Sequence, residues 1–430
     1  MGCPKNLVDT EASLSLLVGE GCIVTDDPNE AELLIVNACS FLDAAWQETV
    51  EEVERFSALK AADASKKLIV MGCLPKHRSE DWRRGLSYVD KFLSAGDHGR
   101  LPSIVRGWQE PDRAPPSVVA VDAFDAFENR MLLTPAHTAY VKIAEGCSRR
   151  CSFCAIPRIR GRMVSRPVAS VVSEIEGLHA RGVKEVSLLA QDITSYYSGG
   201  ARFADLVEAI ASTGIDWIRI FYVHPGSLTM DLARRIFVHP SVCRYLESPI
   251  QHASDSVLKR MRRPYTLARM RRIFGGIRQE FPDVRIRSEV IVGFPGESDD
   301  DFDRLKDFVE EAEFASLGIF AYSPESNTAA SELDGAIPEE LKAERAAELT
   351  DLQNSIAFGL NDNQKGTVHQ VLVDRYRADA DDFPYAGRYY GQAPDVDGEI
   401  LLRGSGITVG EFASARITDC DVFDLHAEVA

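Results

Sequence analysis

No run of apolar residues in this 430-residue chain approaches eighteen, so no segment reads as a bilayer-spanning helix. The opening "MGCPKNLVDTE" has no basic stretch leading into an apolar one, so it does not read as a secretory signal. Positive charge is scarce: 48 Lys and Arg stand against 66 Asp and Glu, a formal charge of −18. Broad nucleic-acid binding needs basic surface to displace counterions, and this balance argues against it. It suits a basic protein partner instead. No Ser-His-Asp arrangement and no zinc-peptidase motif is present. With 45% hydrophobic and 27% charged residues the composition is that of a soluble globular protein, too long for one core.

What the chain does have is cysteine. Nine of them without an export signal point to a reducing compartment and a cytoplasmic protein. There, clustered thiols bind metal more often than they form disulfides. Arginine is also bunched. Residues 147–167 hold Arg149, Arg150, Arg158, Arg160, Arg162 and Arg166 and no acid, and 259–272 hold seven basic residues and no acid. A solvated helix face is the plain reading of such runs.

Three segments follow from the pattern. In 1–110, "AELLIVNAC" and "KKLIVMGC" read as buried parallel strands running into loops, with helical spacing over 43–61 between them, which makes a small α/β unit. The Pro-rich "GWQEPDRAPPS" marks a linker, placed at 111–132. Residues 133–363 alternate strand and helix six times, through "AYVKIAE", "KEVSLLA", "WIRIFYV", "RYLESPI", "IRSEVIVGF" and "SLGIFAYS", then close on a helix over 338–360. Helices are expected at 168–181, 203–213 and from Ser298, where Ser298 and Asp301 have capping-box spacing. Six such units predict a parallel sheet curled into a partial barrel. Residues 365–430 read as short strands with Gly turns, a small β-barrel that from Gly366 onward holds twelve acids against five basic residues.

"GCSRRCSFC" places Cys147, Cys151 and Cys154 as CxxxCxxC directly after the first barrel strand. Such a loop can wrap three irons of a 4Fe–4S cubane. A structural zinc site would need a fourth ligand, and the nearest candidates are the distant His137 and His179. The motif in this setting resembles the radical S-adenosylmethionine superfamily. The resemblance implies that S-adenosylmethionine fills the fourth corner through its amino and carboxylate groups and is split to a 5′-deoxyadenosyl radical. It also implies a place for Phe153 beside the adenine. Gln191 and Asp192, in "LLAQDITSYY", would lie near the methionine amino group, and the Gly293 backbone, in "VIVGFPGES", on the adenine side.

A second triplet echoes the first. "MGCPK" and "MGCLPK" repeat, and Cys3, Cys39 and Cys73 are 36 and 34 residues apart. Cys39 and Cys73 each follow a parallel strand, and loops at one carboxyl edge of such a sheet converge. Three buried thiols are the plain alternative. A cluster here has again only three protein ligands. Two such clusters on an α/β unit before a radical barrel, with a terminal TRAM barrel, resemble the radical S-adenosylmethionine methylthiotransferases. That family carries a sulfide on the open iron of the auxiliary cluster, methylates it and joins it to a carbon made radical. It usually has a strand before its first cysteine, whereas this chain begins two residues before Cys3. Either the start is truncated or that strand is missing.

"GCPKNLVDTE", "CSFCAIPRIRG" and "SPIQHASDSVLKRMRR" are similar to the RimO branch, which thiolates the β-carbon of an aspartate in ribosomal protein uS12. The other branch thiolates an adenosine in tRNA. The acidic terminal barrel favours a basic protein over tRNA, whose phosphates call for basic surface. The resemblance thus implies uS12, free or in the small subunit, as partner, with an electron donor such as flavodoxin or ferredoxin. An aspartate β-carbon has no acidic proton to offer, and general acid–base groups contribute only about 10²–10⁴-fold. A radical route fits the demand.

Overall fold

The structure, a computed structural model, describes residues 2–39, 43–73, 86, 88–109, 127, 130–325 and 328–429. Most of the expected linker (111–126 and 128–129) and residues 74–76 of the second "MGCLPK" echo lie outside the described residues.

The chain opens with helix α1 (Pro4–Gly19), followed by β1 (Leu33–Ala38), α2 (Asp43–Ala62), β2 (Lys67–Gly72), β3 (Lys91–Ser94) and α3 (Leu101–Gln109). Pro4 sits in the first turn, where its missing N–H costs nothing. The three strands are parallel in the order β1–β2–β3. One face of the sheet packs Leu34, Val36, Leu68 and Val70 against Val53 of α2. The other packs Ile69, Met71 and Leu93 against Leu17 of α1 and Leu101 of α3. Both faces are covered, as a parallel sheet requires. Neither α1 nor β3 is among the elements expected from the sequence: "KFLS" is too short to show a period, and the buried face of α1 mixes Val8, Ala12 and Leu17 with the polar Asn6, Asp9, Glu11 and Ser13.

The second unit holds β4 (Thr138–Lys142), β5 (Glu185–Leu189), β6 (Trp217–Ile220), β7 (Tyr245–Glu247), β8 (Arg285–Val292) and β9 (Ser316–Ala321). Parallel ladders join β4–β5–β6 and β7–β8–β9. The Cys243 N–H to Ile218 and the Val223 N–H to Glu247 carbonyl bonds, each 3.0 Å, link the two sets. Among the described residues no ladder runs from β9 back to β4, so the barrel is partial. Around it lie α4 (Ile156–Ile159), α5 (Val168–Ala180), α6 (Phe203–Ala211), α7 (Met230–Phe237), α8 (Asp255–Arg260), α9 (Leu267–Glu280), α10 (Asp299–Ala312) and α11 (Glu339–Asp362). Ser298 and Asp301 cap α10 reciprocally. Val141, Leu188, Ile218, Ile286 and Val290 form the shared core with Ile175, Leu206 and Leu305. The expected strands "WIRIFYV" and "RYLESPI" are shorter than read. Tyr222 takes φ of 60°, a left-handed backbone that does not continue the first, and Pro249, with no N–H to donate, interrupts the second.

The last unit closes β10 (Val368–Tyr376), β11 (Tyr385–Arg388), β12 (Ile400–Arg403), β13 (Phe412–Cys420) and β14 (Leu425–Val429) into a barrel in the order β10–β11–β12–β14–β13. It docks on the amino ends of the central strands. Arg388 bridges Asp374 at 2.8 Å and Glu185 of β5 at 2.7 Å. Arg219 of β6 donates to Glu185 at 2.5 Å and to the Tyr390 carbonyl at 2.8 Å. A cavity of about 970 Å³ remains between the two barrels, lined by Tyr140, Tyr245, Arg287 and Asp397 among others.

Candidate active site

The carboxyl ends of the central strands carry the first thiol triplet. Gly146 turns the chain out of the barrel with φ +76°, and a Cβ there would meet the Arg162 carbonyl oxygen at 2.5 Å. The Cys147 N–H then bonds the Gly161 carbonyl at 3.0 Å, which closes the loop on itself. Ser152 pins the middle of the loop to the far side of the barrel, donating from N to Met261 and from Oγ to Arg260. The three thiols lie close enough that the charges of Cys147 and Cys151 act on Cys154. Burial, then those charges, push the Cys154 thiol up to about 12. Two donors face the sulfurs: the Arg149 N–H reaches Cys147 Sγ and Arg263 Nη1 reaches Cys151 Sγ, both at 3.4 Å.

The second triplet gathers at the carboxyl edge of the amino-terminal sheet. Cys3 caps α1, Cys39 follows β1 and Cys73 follows β2. Asn6 ties them, donating to the Ala38 carbonyl at 3.2 Å and accepting from Cys73 Sγ at 3.7 Å. Burial chiefly, with the charges of Cys3 and Cys39, pushes the Cys73 thiol up to about 11. Burial also works to raise Cys3, but Lys5, Arg160 and the N–H groups opening α1 outweigh it and hold that thiol below its usual range.

Each triplet fits an iron–sulfur cluster by its donor chemistry. Three mutually repelling thiolates in a buried loop need a shared positive centre. Among the described residues no three Cys, His, Asp or Glu side chains converge on a single ion. A cubane spreads its ligands over separate irons, and three neighbouring thiols are the ligand set such a cluster takes.

Arg160 joins the two sites. It stands at the end of α4, just past the first triplet, and is 6% exposed. Its Nη1 reaches Asp9 of α1 at 3.2 Å and Glu145 at 2.9 Å, and its Nη2 reaches Asn6. Lys142 pairs with the same two carboxylates, at 2.7 Å for Glu145. Burial would raise Glu145, but Lys142 and Arg160 overcome it and hold the carboxyl well below the carboxylate range. Sequence reasoning missed this seam. The one local trace is Asn6 and Asp9 three apart, on one face of α1.

Of the other expected residues, Asp192 is already engaged, by Arg149 at 2.6 Å, by the Ser195 hydroxyl at 2.6 Å and by the Thr194 N–H at 3.1 Å. It positions Arg149 beside the loop. Gln191 presents a buried Oε1 with no partner among the described residues, and the His224 Nε2 is likewise unmatched there. Phe153 packs edge-on to Phe294, centroids 6.5 Å apart, which brings it beside Gly293. Gly293 has φ +70° and a Cβ would fall 2.3 Å from Lys342 Cγ, so packing alone explains that glycine. Of the first arginine run, Arg149, Arg160 and Arg166 are engaged by Asp192, by Asp9 and Glu145, and by Glu174. Arg150, Arg158 and Arg162 are exposed. The second run is only partly a solvated face, since Arg263 turns inward to Cys151 and the Pro249 carbonyl.

The family models that match are the radical SAM superfamily over residues 141–309, the uncharacterized protein family UPF0004 over 1–94 and the TRAM domain over 366–430. Among solved structures, a radical S-adenosylmethionine methyltransferase, TsrM from Kitasatospora setae, superposes with TM-score 0.53 at 15% identity, covering 74% of this chain and 70% of that one, a likeness of fold alone. Ribosomal protein uS12 methylthiotransferase RimO of Geobacter sulfurreducens is 40% identical, covering 100% of this chain and 97% of the relative. That of Sorangium cellulosum is 39% identical, covering 100% and 89%. Matched end to end at these identities, the chain belongs to the family of ribosomal protein uS12 methylthiotransferase RimO.

Proposed function

We propose that this chain methylthiolates the β-carbon of an aspartate in ribosomal protein uS12, giving 3-methylthioaspartate. The observation that carries the reading is the pair of thiol triplets facing one seam, each offering three sulfurs and joined through Arg160. Cys147, Cys151 and Cys154 would hold one 4Fe–4S cluster and Cys3, Cys39 and Cys73 the other; with S-adenosylmethionine bound, they supply the radical chemistry and the sulfur that an unactivated C–H bond demands.

The chain's own residues bind, orient and shield. The Arg149 backbone N–H and the Arg263 guanidinium donate to the first triplet, and Arg263 offsets part of its negative charge. The unpartnered Gln191 oxygen is an acceptor for an ammonium such as that of S-adenosylmethionine. Phe153 and the Gly293 backbone offer apolar and main-chain contacts to an adenine. Val8, Ala12, Phe221 and Tyr245 pack α1 onto the barrel and keep water from the seam.

Three working units support the reaction: 1–110 for the auxiliary site, 133–363 for the radical core and 365–430 as a docking barrel, with 111–132 linking the first two. Asp379, Asp381, Asp382, Asp419 and Asp421 are exposed on the last, a surface suited to a basic ribosomal protein rather than tRNA. Among the described residues no helix is long and apolar enough to cross a membrane. Work on a ribosomal protein accords with the cytoplasm, and an electron donor of the flavodoxin or ferredoxin type would serve the first cluster.

The test is anaerobic incubation of reconstituted enzyme, carrying about eight irons per chain, with uS12, tRNA, S-adenosylmethionine and a reductant. One methylthio group on a uS12 aspartate is expected by mass spectrometry. Modified tRNA with untouched uS12 would overturn the reading.

A further inference from the structure

Buried cations in this protein are neutralised almost without exception. Among the described residues ten lysines and arginines are buried. Arg130, Lys142, Arg160, Arg166, Arg219, Lys342, Arg345 and Arg388 each reach a carboxylate. Lys66 donates to the Asn29 and Ala31 carbonyls, each at 2.7 Å. Lys5 differs. It is 7% exposed, and its Nζ lies 3.5 Å over the ring of Tyr222, with no carboxylate at ion-pair distance and no hydrogen-bond acceptor among the described residues.

A buried ammonium whose near neighbours are an aromatic face and the Cys3 thiol, with no carboxylate at ion-pair distance among the described residues, is under-satisfied. Cation–π contact offsets only part of the cost of desolvating a charge. Tyr222 is also held with φ 60° in the loop after β6, a conformation sparse for a bulky side chain. Such strain collects where a binding surface must be preset. The nearby Glu247 carboxyl does not fill the gap, since it makes no ion pair with Lys5 among the described residues. Burial, then the neighbouring Glu289, pushes Glu247 up to about 8, which disfavours its charged form. One Glu247 oxygen has no partner among the described residues.

We infer that Lys5 receives the side-chain carboxylate of the substrate aspartate, with the Tyr222 ring as the platform beneath its ammonium. The inference rests on the reaction proposed above and adds the group that selects aspartate. Lys5 is two residues from Cys3 and on the same helix, so the carboxylate is held beside the auxiliary triplet. The β-carbon is bonded directly to that carboxylate carbon, and fixing one fixes the other. No arginine of the first run is free to take this role, because three are engaged by acids and three point to solvent.

The test uses full-length reconstituted enzyme as wild type, Lys5→Gln and Lys5→Arg, and two uS12 peptides, with Asp or Asn at the target position. Peptide Kd is measured anaerobically, beside iron content and methylthio product. A charge-assisted contact makes wild type favour the Asp peptide by about 10–100-fold in Kd. Lys5→Gln should lose that preference by weakening Asp binding while Asn binding holds, with about eight irons retained. Lys5→Arg should restore part of it. Equal weakening toward both peptides, no change toward either, or loss of iron to about four would each overturn the inference, the last by assigning Lys5 to cluster retention. If wild type forms no methylthio product on the Asp peptide, the reaction itself is wrong and the inference falls with it; if wild type reacts and only Lys5→Gln fails to discriminate as stated, the reaction stands.

Discussion

Arg160→Met is the substitution that probes the coupling of the two thiol sites. Methionine keeps much of the side-chain length and removes four hydrogen bonds, one to Asp9, two to Glu145 and one to Asn6. Removing one partner of a buried ion pair costs about 3–5 kcal/mol. Lys142 remains on both Asp9 and Glu145, which places this loss at the lower end, about 3 kcal/mol. A domain stable by about 5–15 kcal/mol tolerates that. The chain stays folded while α1 loosens against the Cys147 loop. Misplacement by about 1 Å can cost about 10²-fold in rate. The expected signature is therefore uncoupling: 5′-deoxyadenosine forms within a few-fold of wild type, methylthioaspartate falls about 100-fold, and iron stays near eight per chain. Chromatography of 5′-deoxyadenosine and mass spectrometry of the peptide read both quantities from one reaction. Asp9→Asn closes the double-mutant cycle, with a coupling above about 0.5 kcal/mol expected for residues in contact. Wild-type product yield from Arg160→Met, or strict additivity with Asp9→Asn, would refute the seam as the device that aligns the two sites.

Two further outcomes test the supports around it. Gly146→Ala sets a Cβ 2.5 Å from the Arg162 oxygen and 2.7 Å from the Gly161 oxygen, at φ +76°; the loop cannot close, so iron should fall to about four per chain while the auxiliary site keeps its share, and full iron content would count against it. Glu185 is held below its usual range because Arg219 and Arg388 outweigh the burial that would raise it. A depressed carboxyl gives stability that is present above its unfolded pKa of about 4.3 and is lost as pH falls through the folded value. Glu185→Gln should thus be less stable than wild type in denaturant at pH 7 and show a flatter decline into acid; parallel curves for the two proteins would reject the assignment.

The two cysteine triplets could be singled out because their spacing is local, three within one loop and two at the ends of strands with an apolar run before each. The barrel was legible for a related reason: six strand-and-helix units repeat in order, and sequential strands pair. The seam was not. Asp9 and Lys142 are 133 residues apart and Asn6 and Arg160 are 154 apart, so no window of sequence contains both partners. In isolation each reads as surface charge, and the arginine-rich loop reads as a solvated face. Arg263 was obscured in the same way, since its sulfur partner Cys151 lies 112 residues earlier. Two strand ends were overread: Tyr222 takes left-handed backbone, which composition does not announce, and Pro249 lacks the N–H a ladder needs, a local signal that was there to read.

Helix α1 explains why distant pairs matter more here than further ligands would. It rises about 1.5 Å per residue, so Cys3, Lys5, Asn6 and Asp9 all ride on one rod about 9 Å long. Asn6 and Asp9 share the face toward Arg160, while Lys5, about 100° away from Asn6, meets Tyr222. Rotating or sliding this rod would move the auxiliary thiol, the carboxylate receiver and the seam together. Chemistry that brings two separate sites to bear on one carbon depends on their relative placement more than on either site alone. A rigid helix clamped by one arginine to the loop of the other site fixes that placement with few contacts, and a substitution at the clamp should disturb transfer before it disturbs either site.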